Sequence, residues 1–241
     1  MRLDKFIASQ TTLSRKEASA ALKAGRITVD GAPVRDPALH VDPQKQRITL
    51  DSRELTYAEF VYVMLNKPEG YVSATDDPGA PVVLELLPDE LRSRGLFPCG
   101  RLDRYTTGLM ILTDDGVSSH YRLSPKHHAE KVYEFTTERP LERIDELEAG
   151  VHIAGGYLTK PCRVTKTGEY SGTIVLTEGK YHQIKQMLYA VGNKIVTLRR
   201  ISFAGIRLDP ALAEGSWRFL TPDEVALFKA PAPSRRSQHR V

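Results

Sequence analysis

The chain has 241 residues, room for one large domain or a large one beside a small one. Hydrophobic residues make up 41% and charged residues 27%, ordinary globular usage that excludes wholesale disorder and collagen-like repeats. Mean hydropathy is −0.34, and the longest clean apolar run, Phe60–Leu65, is far shorter than the roughly 20 residues of a membrane helix. The opening Met1-Arg2-Leu3-Asp4-Lys5-Phe6 has no apolar stretch of signal-peptide length. Cys99 and Cys162 neither frame a disulfide scaffold nor have metal-ligand spacing. The expectation is a reduced, cytoplasmic protein that does not enter a membrane.

The formal net charge of +4 is unevenly spread. Residues 1–50 carry nine Lys or Arg against five Asp or Glu, and residues 51–231 carry 22 against 25. The last ten residues add Arg235, Arg236 and Arg240. A basic small module and a basic tail around a nearly neutral middle point to a polyanion partner, most commonly nucleic acid.

Leu3, Phe6 and Ile7, at i, i+3 and i+4, give one face of a short helix. Ser14-Arg15-Lys16-Glu17 is a capping box, Ala18, Ala21 and Leu22 form the stripe of a second helix, and Gly25 suits its C-terminal cap. Ile27-Thr28-Val29, Asp30-Gly31 and Val34 signal a hairpin. So small a core is marginal alone. Residues 43–59 are polar apart from Ile48 and Leu50 and read as a strand end and a linker.

From Val61 the composition turns apolar and a second domain begins. Strand-like runs are Val61–Leu65, Val82–Leu87, Leu109–Thr113, Lys131–Thr136, Thr173–Thr177 and Lys194–Phe203. Asn66–Tyr71, Asp76-Asp77-Pro78 and Asp114-Asp115-Gly116 read as turns, and residues 140–149 as an acidic surface helix. Alternation puts Lys131, Tyr133 and Phe135 on one face of their strand. Cys99 and Trp217 read as packing residues, and His127-His128 as surface or RNA-facing rather than metal-binding.

Two stretches carry chemistry. Gly100-Arg101-Leu102-Asp103-Arg104-Tyr105-Thr106-Thr107-Gly108-Leu109 is a loop entering an apolar strand. Its Asp103 lies between two arginines whose charge favours a carboxylate, and a carboxylate serves as nucleophile or base. Spacing alone also fits an aspartate that caps a turn. The run Glu178–Asn193 reads as a strand end, a turn and a helix closed by Gly192, with Ile184, Met187, Leu188 and Val191 buried. His182, Lys185, Gln186 and Tyr189 line its adjacent polar face. The helix start with Lys180 and Lys185 suits a phosphate or carboxylate.

Residues Arg2–Ile7, Ser14–Lys16 and Gly25–Gly31 resemble the S4 RNA-binding domain. Gly100–Leu109 resembles the catalytic motif of the pseudouridine synthases, Gly-Arg-Leu-Asp-x-x-Thr-x-Gly-Leu. Glu178–Lys185 resembles that family's Glu-Gly-basic-x-x-Gln-aliphatic-basic motif, and Lys131-x-Tyr133 its strand motif with the pocket tyrosine. Their order, through Arg199-Arg200-Ile201 to Gly215–Arg218, resembles the RsuA branch. Asn66–Tyr71, Asp76–Pro78 and Tyr181–Lys185 resemble its small-subunit members. The resemblance covers nearly all of residues 1–229. It departs from the family at Lys185, where arginine is frequent, and at Gln186, where a basic residue is usual.

The resemblance implies an α+β fold. A small S4-like α/β RNA-binding domain at 1–50 and a linker at 51–60 precede a larger mixed, mostly antiparallel pseudouridine synthase domain with flanking helices at 61–230. A basic disordered tail follows at 231–241. The implied reaction is isomerisation of a uridine in 16S ribosomal RNA, uridine 516, with no cofactor and no metal. Asp103 would attack C1′ or act as base on a route through a glycal, with Tyr133 stacking on the base and Lys185 pairing with Asp103. Arg2, Lys5, Arg15, Lys16, Lys23 and Arg26 would hold phosphates, which gives position and salt-dependent affinity rather than base readout. Arg101, Arg104, Lys180, His182 and Gln183 would contact RNA beside the site, Arg104 filling the gap left by the extruded base. The implied partner is 16S ribosomal RNA or a small-subunit assembly intermediate, met by a monomer. A synthase for 23S ribosomal RNA or transfer RNA, and a non-catalytic S4-type assembly factor, remain as alternatives.

Overall fold

The computed structural model describes residues 1–11, 13–55, 57–124, 126, 127, 129–229 and 231, so His128 and residues 232–241 of the tail lie outside the described residues. The chain forms two compact units, Met1–Val61 with Leu84–Phe97, and Tyr62–Val83 with Pro98–Val241.

In the first unit the helices Leu3–Gln10 and Arg15–Lys23 form as their apolar spacing dictates. Leu3, Phe6, Ile7, Ala18, Leu22 and Ile27 are wholly buried. The capping box closes from both sides: Ser14 Oγ accepts the Glu17 N–H at 3.2 Å, and Glu17 Oε2 accepts the Ser14 N–H at 2.8 Å. Asp30 and Gly31, with φ of 51° and 83°, make the tight turn between Ile27–Val29 and Ala32–Pro33. Ile48–Leu50 pairs on the other edge of Ile27–Val29, and Arg53–Glu54 pairs with it in turn. The polar stretch after the hairpin therefore supplies two of the four strands of this sheet. The segment Leu84–Phe97 is tied to the same unit by Arg94, which donates to Gln10 Oε1 at 3.3 Å and to Ala58 O at 3.1 Å.

The second unit is built on a mixed, mostly antiparallel sheet. From edge to edge it runs Arg163–Gly168, Ser171–Leu176, Lys131–Thr137, Ile195–Phe203, Thr107–Thr113, Tyr62–Lys67 and Trp217–Phe219. Every neighbouring pair is antiparallel except the central one, where Ile195–Phe203 lies parallel to Thr107–Thr113 over Arg199↔Thr107 and Arg200↔Gly108. Gly108 is required there. Its φ is +97°, and a Cβ would run into the Arg200 carbonyl oxygen on the facing strand. Tyr133 and Phe135 are buried while Glu134 is exposed, as alternation requires.

Four local readings change. Asn66 and Lys67 are not turn residues: they end the strand Tyr62–Lys67, all of it buried, and the chain turns only after Pro68. Val82–Leu87 forms a 3-10 helix over Val83–Leu86 rather than a strand. Asp115 caps a helix, Gly116–Leu123, that has no strong apolar stripe to announce it; its carboxylate accepts the Ser118 N–H at 3.0 Å and the Tyr62 O–H at 2.7 Å. Trp217 is half-buried on an edge strand rather than in the core. Among the described residues no helix is long and apolar enough to cross a membrane.

Gly108→Ala should lower stability by about 2–4 kcal/mol, through both strain and the collision with Arg200, read as a lower urea midpoint at constant slope. Asp4 gives a second test. It is buried, and Arg2 and Arg15 reach its Oδ2 at 2.9 and 3.1 Å. The Arg2 hydrogen bond leads in pulling its carboxyl down to about 2. Because the folded value lies below the unfolded one, this stabilisation is complete above about pH 4 and is lost as pH falls through 2. Asp4→Asn should remove that part of the acid transition, followed by circular dichroism between pH 5 and 1.5.

Candidate active site

The loop Gly100–Thr106 is held from below by three groups of the Tyr62–Ser73 segment. The Lys67 ammonium is fully buried and donates to Thr106 O at 2.9 Å, Pro68 O at 3.0 Å and Arg104 O at 3.2 Å. The Gly70 N–H adds a bond to Arg104 O at 2.9 Å. Ser73 Oγ donates to Leu102 O at 2.8 Å and accepts the Leu102 N–H at 3.0 Å. Carbonyls flanking Asp103 on both sides are thus fixed by the neighbouring segment, and the Thr106 N–H closes the loop on Asp103 O at 3.0 Å.

Across from the loop stands the helix Gln183–Ala190. Its entry is fixed by the buried Glu178, whose carboxylate accepts from Tyr157 O–H at 2.6 Å, Gln183 Nε2 at 2.7 Å and the Lys160 N–H at 3.0 Å. Gln183 Oε1 accepts the Lys180 N–H at 2.9 Å. His182 precedes the helix in a left-handed conformation, φ 49°, its ring stacked on Tyr181 at 3.8 Å. From this frame Lys185 Nζ reaches Asp103 Oδ2 at 2.9 Å, and His182 Nε2 lies 3.5 Å from Asp103 Oδ1. The Asp103 side chain keeps 29% of its surface open, so the carboxylate is paired yet reachable.

The structure joins Asp103, Lys185 and His182, and places the other expected site residues around them. Tyr133 is buried on the sheet in register with Arg200, and shares no hydrogen bond with the cluster among the described residues. Arg101 and Arg104 are exposed and do not pair with Asp103; Arg104 Nε donates to Gly70 O at 3.1 Å. The cation beside the carboxylate therefore comes from the helix, not from the flanking arginines. Lys180 is exposed, over the Tyr157 ring at 4.2 Å. Gln183, expected to meet RNA, is instead buried with both ends of its amide used internally. Gln186, at the family's usual basic position, accepts the Ala154 N–H and donates to Tyr181 O, bracing the helix against its neighbour. On the first unit Arg2, Lys5, Arg15, Lys16, Lys23 and Arg26 are all exposed. Arg2 and Arg15 hold Asp4, Arg26 holds Asp51, and Lys5, Lys16 and Lys23 have no ion pair among the described residues.

Sequence reasoning missed Lys67, whose signal was a lysine closing a run otherwise suited to burial. It also missed the buried Arg200, which donates to Leu109 O at 2.8 Å and packs over Phe203. Exposed Tyr105 and Tyr181 were not singled out, although an aromatic beside a charged loop is a stacking surface.

Residues 61–190 match the RNA pseudouridylate synthase family, and residues 1–46 match the S4 domain. The chain belongs to the RNA pseudouridylate synthase family. The synthase is 47% identical to an uncharacterized RNA pseudouridine synthase of Bacillus subtilis, over 96% of this chain and 99% of the relative. It is 43% identical to ribosomal small subunit pseudouridine synthase A of Escherichia coli, over 94% and 99%, and 41% identical to the protein of that name from Yersinia pestis, over 96% and 99%. A solved structure of a pseudouridylate synthase matches with 37% identity and a TM-score of 0.67, over 95% of this chain and 99% of that one. These likenesses place the synthase in the RsuA branch and make it an isomerase.

Burial pulls the Lys67 ammonium down to about 8, while Asp103 and Glu69 draw it back up. As pH rises through 8 the charge that grips the loop carbonyls is lost, so turnover should fall there. Stability moves the opposite way: between about 8 and 10.4 the unfolded chain keeps a proton the folded one has shed, so this group stabilises the fold increasingly. A pH–rate profile tests the assignment, because Lys67→Arg does not titrate in that range and should shift the alkaline limb upward. A limb unmoved in a folded variant would assign it to another group.

Proposed function

We propose that the protein converts a uridine of 16S ribosomal RNA, uridine 516, to pseudouridine, with Asp103 as the reacting group. The observation that carries this reading is the Asp103 carboxylate, reachable from solvent, 2.9 Å from Lys185 and set on a loop immobilised by Lys67. Relatives named for the small ribosomal subunit, at 41–43% identity over nearly the whole chain, support the reading of the substrate.

In this reaction the N1–C1′ bond breaks, the uracil turns, a C5–C1′ bond forms, and the proton on C5 is lost as N1 gains one. Atoms balance without redox change or net hydrolysis. Asp103 acts either by attack at C1′ or as the base that opens a glycal route; both begin from the ionised carboxylate, and the Lys185 ammonium is its counter-charge. Tyr133 lies against the extruded base. His182, Lys180, Arg101 and Arg104, with the exposed rings of Tyr105 and Tyr181, supply charge and stacking for the RNA around the site. Lys5, Lys16 and Lys23 on the S4 unit add phosphate contacts that do not read sequence.

Asp103→Asn should abolish pseudouridine formation in small-subunit RNA while RNA affinity stays within about twofold. Turnover retained by that variant would refute the role of Asp103. Lys185→Met should lower kcat by roughly 10²-fold or more and move KM far less, because the lost charge acts on the reacting carboxylate. Mapping pseudouridine in ribosomal RNA from cells lacking the protein tests the substrate: loss at one 16S position is expected, and loss at a 23S or transfer RNA position would replace it.

A further inference from the structure

The turn that leads to His182 borders a concave site. It has a volume of about 160 Å³ and is bordered by Arg122, Lys131, Lys160, Lys180, Tyr157 and Glu178, among others. A cavity of this size is too small for a whole nucleotide base and sugar, and suits a single compact group. Its border carries four cations against one carboxylate. That carboxylate, Glu178, is already occupied by Tyr157 O–H, Gln183 Nε2 and the Lys160 N–H, so it neutralises none of the ammonium groups by direct contact.

Three of the four cations are held in place by neutral partners. Lys131 Nζ donates to Ala129 O at 3.2 Å and lies over the Phe203 ring at 5.6 Å. Lys180 Nζ rests on the Tyr157 ring at 4.2 Å. Arg122 donates to the carbonyls of Leu227, Phe228 and Lys229. Neither Lys131, Lys160 nor Lys180 has an ion pair among the described residues. Burial lowers the Lys131 ammonium from its usual range, and Arg200 adds to this. A bound anion would relieve that cost.

We propose that this cavity is a phosphate-binding subsite that takes one backbone phosphate of the substrate RNA. RNA is favoured over a free anion because the cavity and the Asp103 cluster share one continuous piece of chain. Lys180 borders the cavity, Lys185 reaches Asp103, and the Glu178–Gln183 bond fixes one to the other. A phosphate seated here anchors the strand a short distance from the extruded nucleotide. This deepens the reading of the function given above and rests on it.

Lys160→Gln and Lys180→Gln test it, since Lys180 is exposed and Lys160 half-buried and both variants keep the backbone bonds to Glu178 and Gln183. Lys45→Gln, on the first unit, is the control. Binding of a 16S fragment is measured at several salt concentrations, alongside product formation and melting temperature. Each cavity variant should bind RNA several-fold more weakly, flatten the slope of log K against log salt by about one, and raise KM with kcat little changed. Inorganic phosphate should compete with RNA in the unmodified protein and compete less in the variants. Unchanged affinity and slope in folded variants would overturn the subsite while leaving the synthase reading intact. Phosphate binding that the variants lose, with RNA affinity unaffected, would overturn the RNA assignment in favour of a free anion. Absence of product from the unmodified protein, with the slope still flattened by the variants, would overturn the proposed function and keep the subsite.

Discussion

The placement of the loop that carries Asp103 depends on one buried ammonium. Among the described residues no carboxylate lies within bonding distance of Lys67; it is wrapped by three carbonyl oxygens, two of them from the loop that carries Asp103. Desolvating an ammonium is costly, and the cost is offset only while those carbonyls stay where they are. The loop backbone is therefore tied to the strand that ends in Lys67. A carboxylate on such a loop needs little reorganisation when a nucleoside arrives, which is the condition under which fixed charge contributes most to a reaction. The helix on the other side is built by the same logic with opposite sign. Glu178 is a buried carboxylate surrounded by neutral donors, and it sets the direction of Lys185.

The two units divide the labour by chemistry. The first has a core of small helices and a four-stranded sheet, and its outward cations are partly committed: two arginines hold Asp4 and one holds Asp51. Among the described residues Lys5, Lys16 and Lys23 have no ion pair there, and their flexible stems and point charges suit phosphates without fixed geometry. The second unit keeps its polar side chains in networks that fix direction.

How far the sequence could be read follows from how local each signal was. Ser14 and Glu17 announce a helix start because both halves of the cap lie within four residues, and the structure shows both bonds. Leu3, Phe6 and Ile7, or Tyr133 and Phe135, declare their faces through period alone. The pairing of Asp103 with Lys185 was available only through resemblance, since 82 positions separate them and no periodicity spans that distance. Lys67 misled because a lysine before proline normally marks an exposed turn; its burial is decided by carbonyls nearly forty residues away. Gln183 misled for a related reason. It belongs to a functional motif, yet its amide serves the scaffold.

The central sheet carries a further implication. Its strands form two antiparallel ribbons, one containing Thr107–Thr113 and the other Ile195–Phe203, joined where Arg199 and Arg200 meet Thr107 and Gly108. Asp103 enters the first ribbon, while Lys185 belongs to the helix that feeds the second. Each ribbon can keep its own ladder bonds with the join parted, so a half-zipped molecule would look almost folded by its secondary structure and yet lack the Asp103–Lys185 pair. The meeting of Asp103 and Lys185 is thereby tied to one short seam.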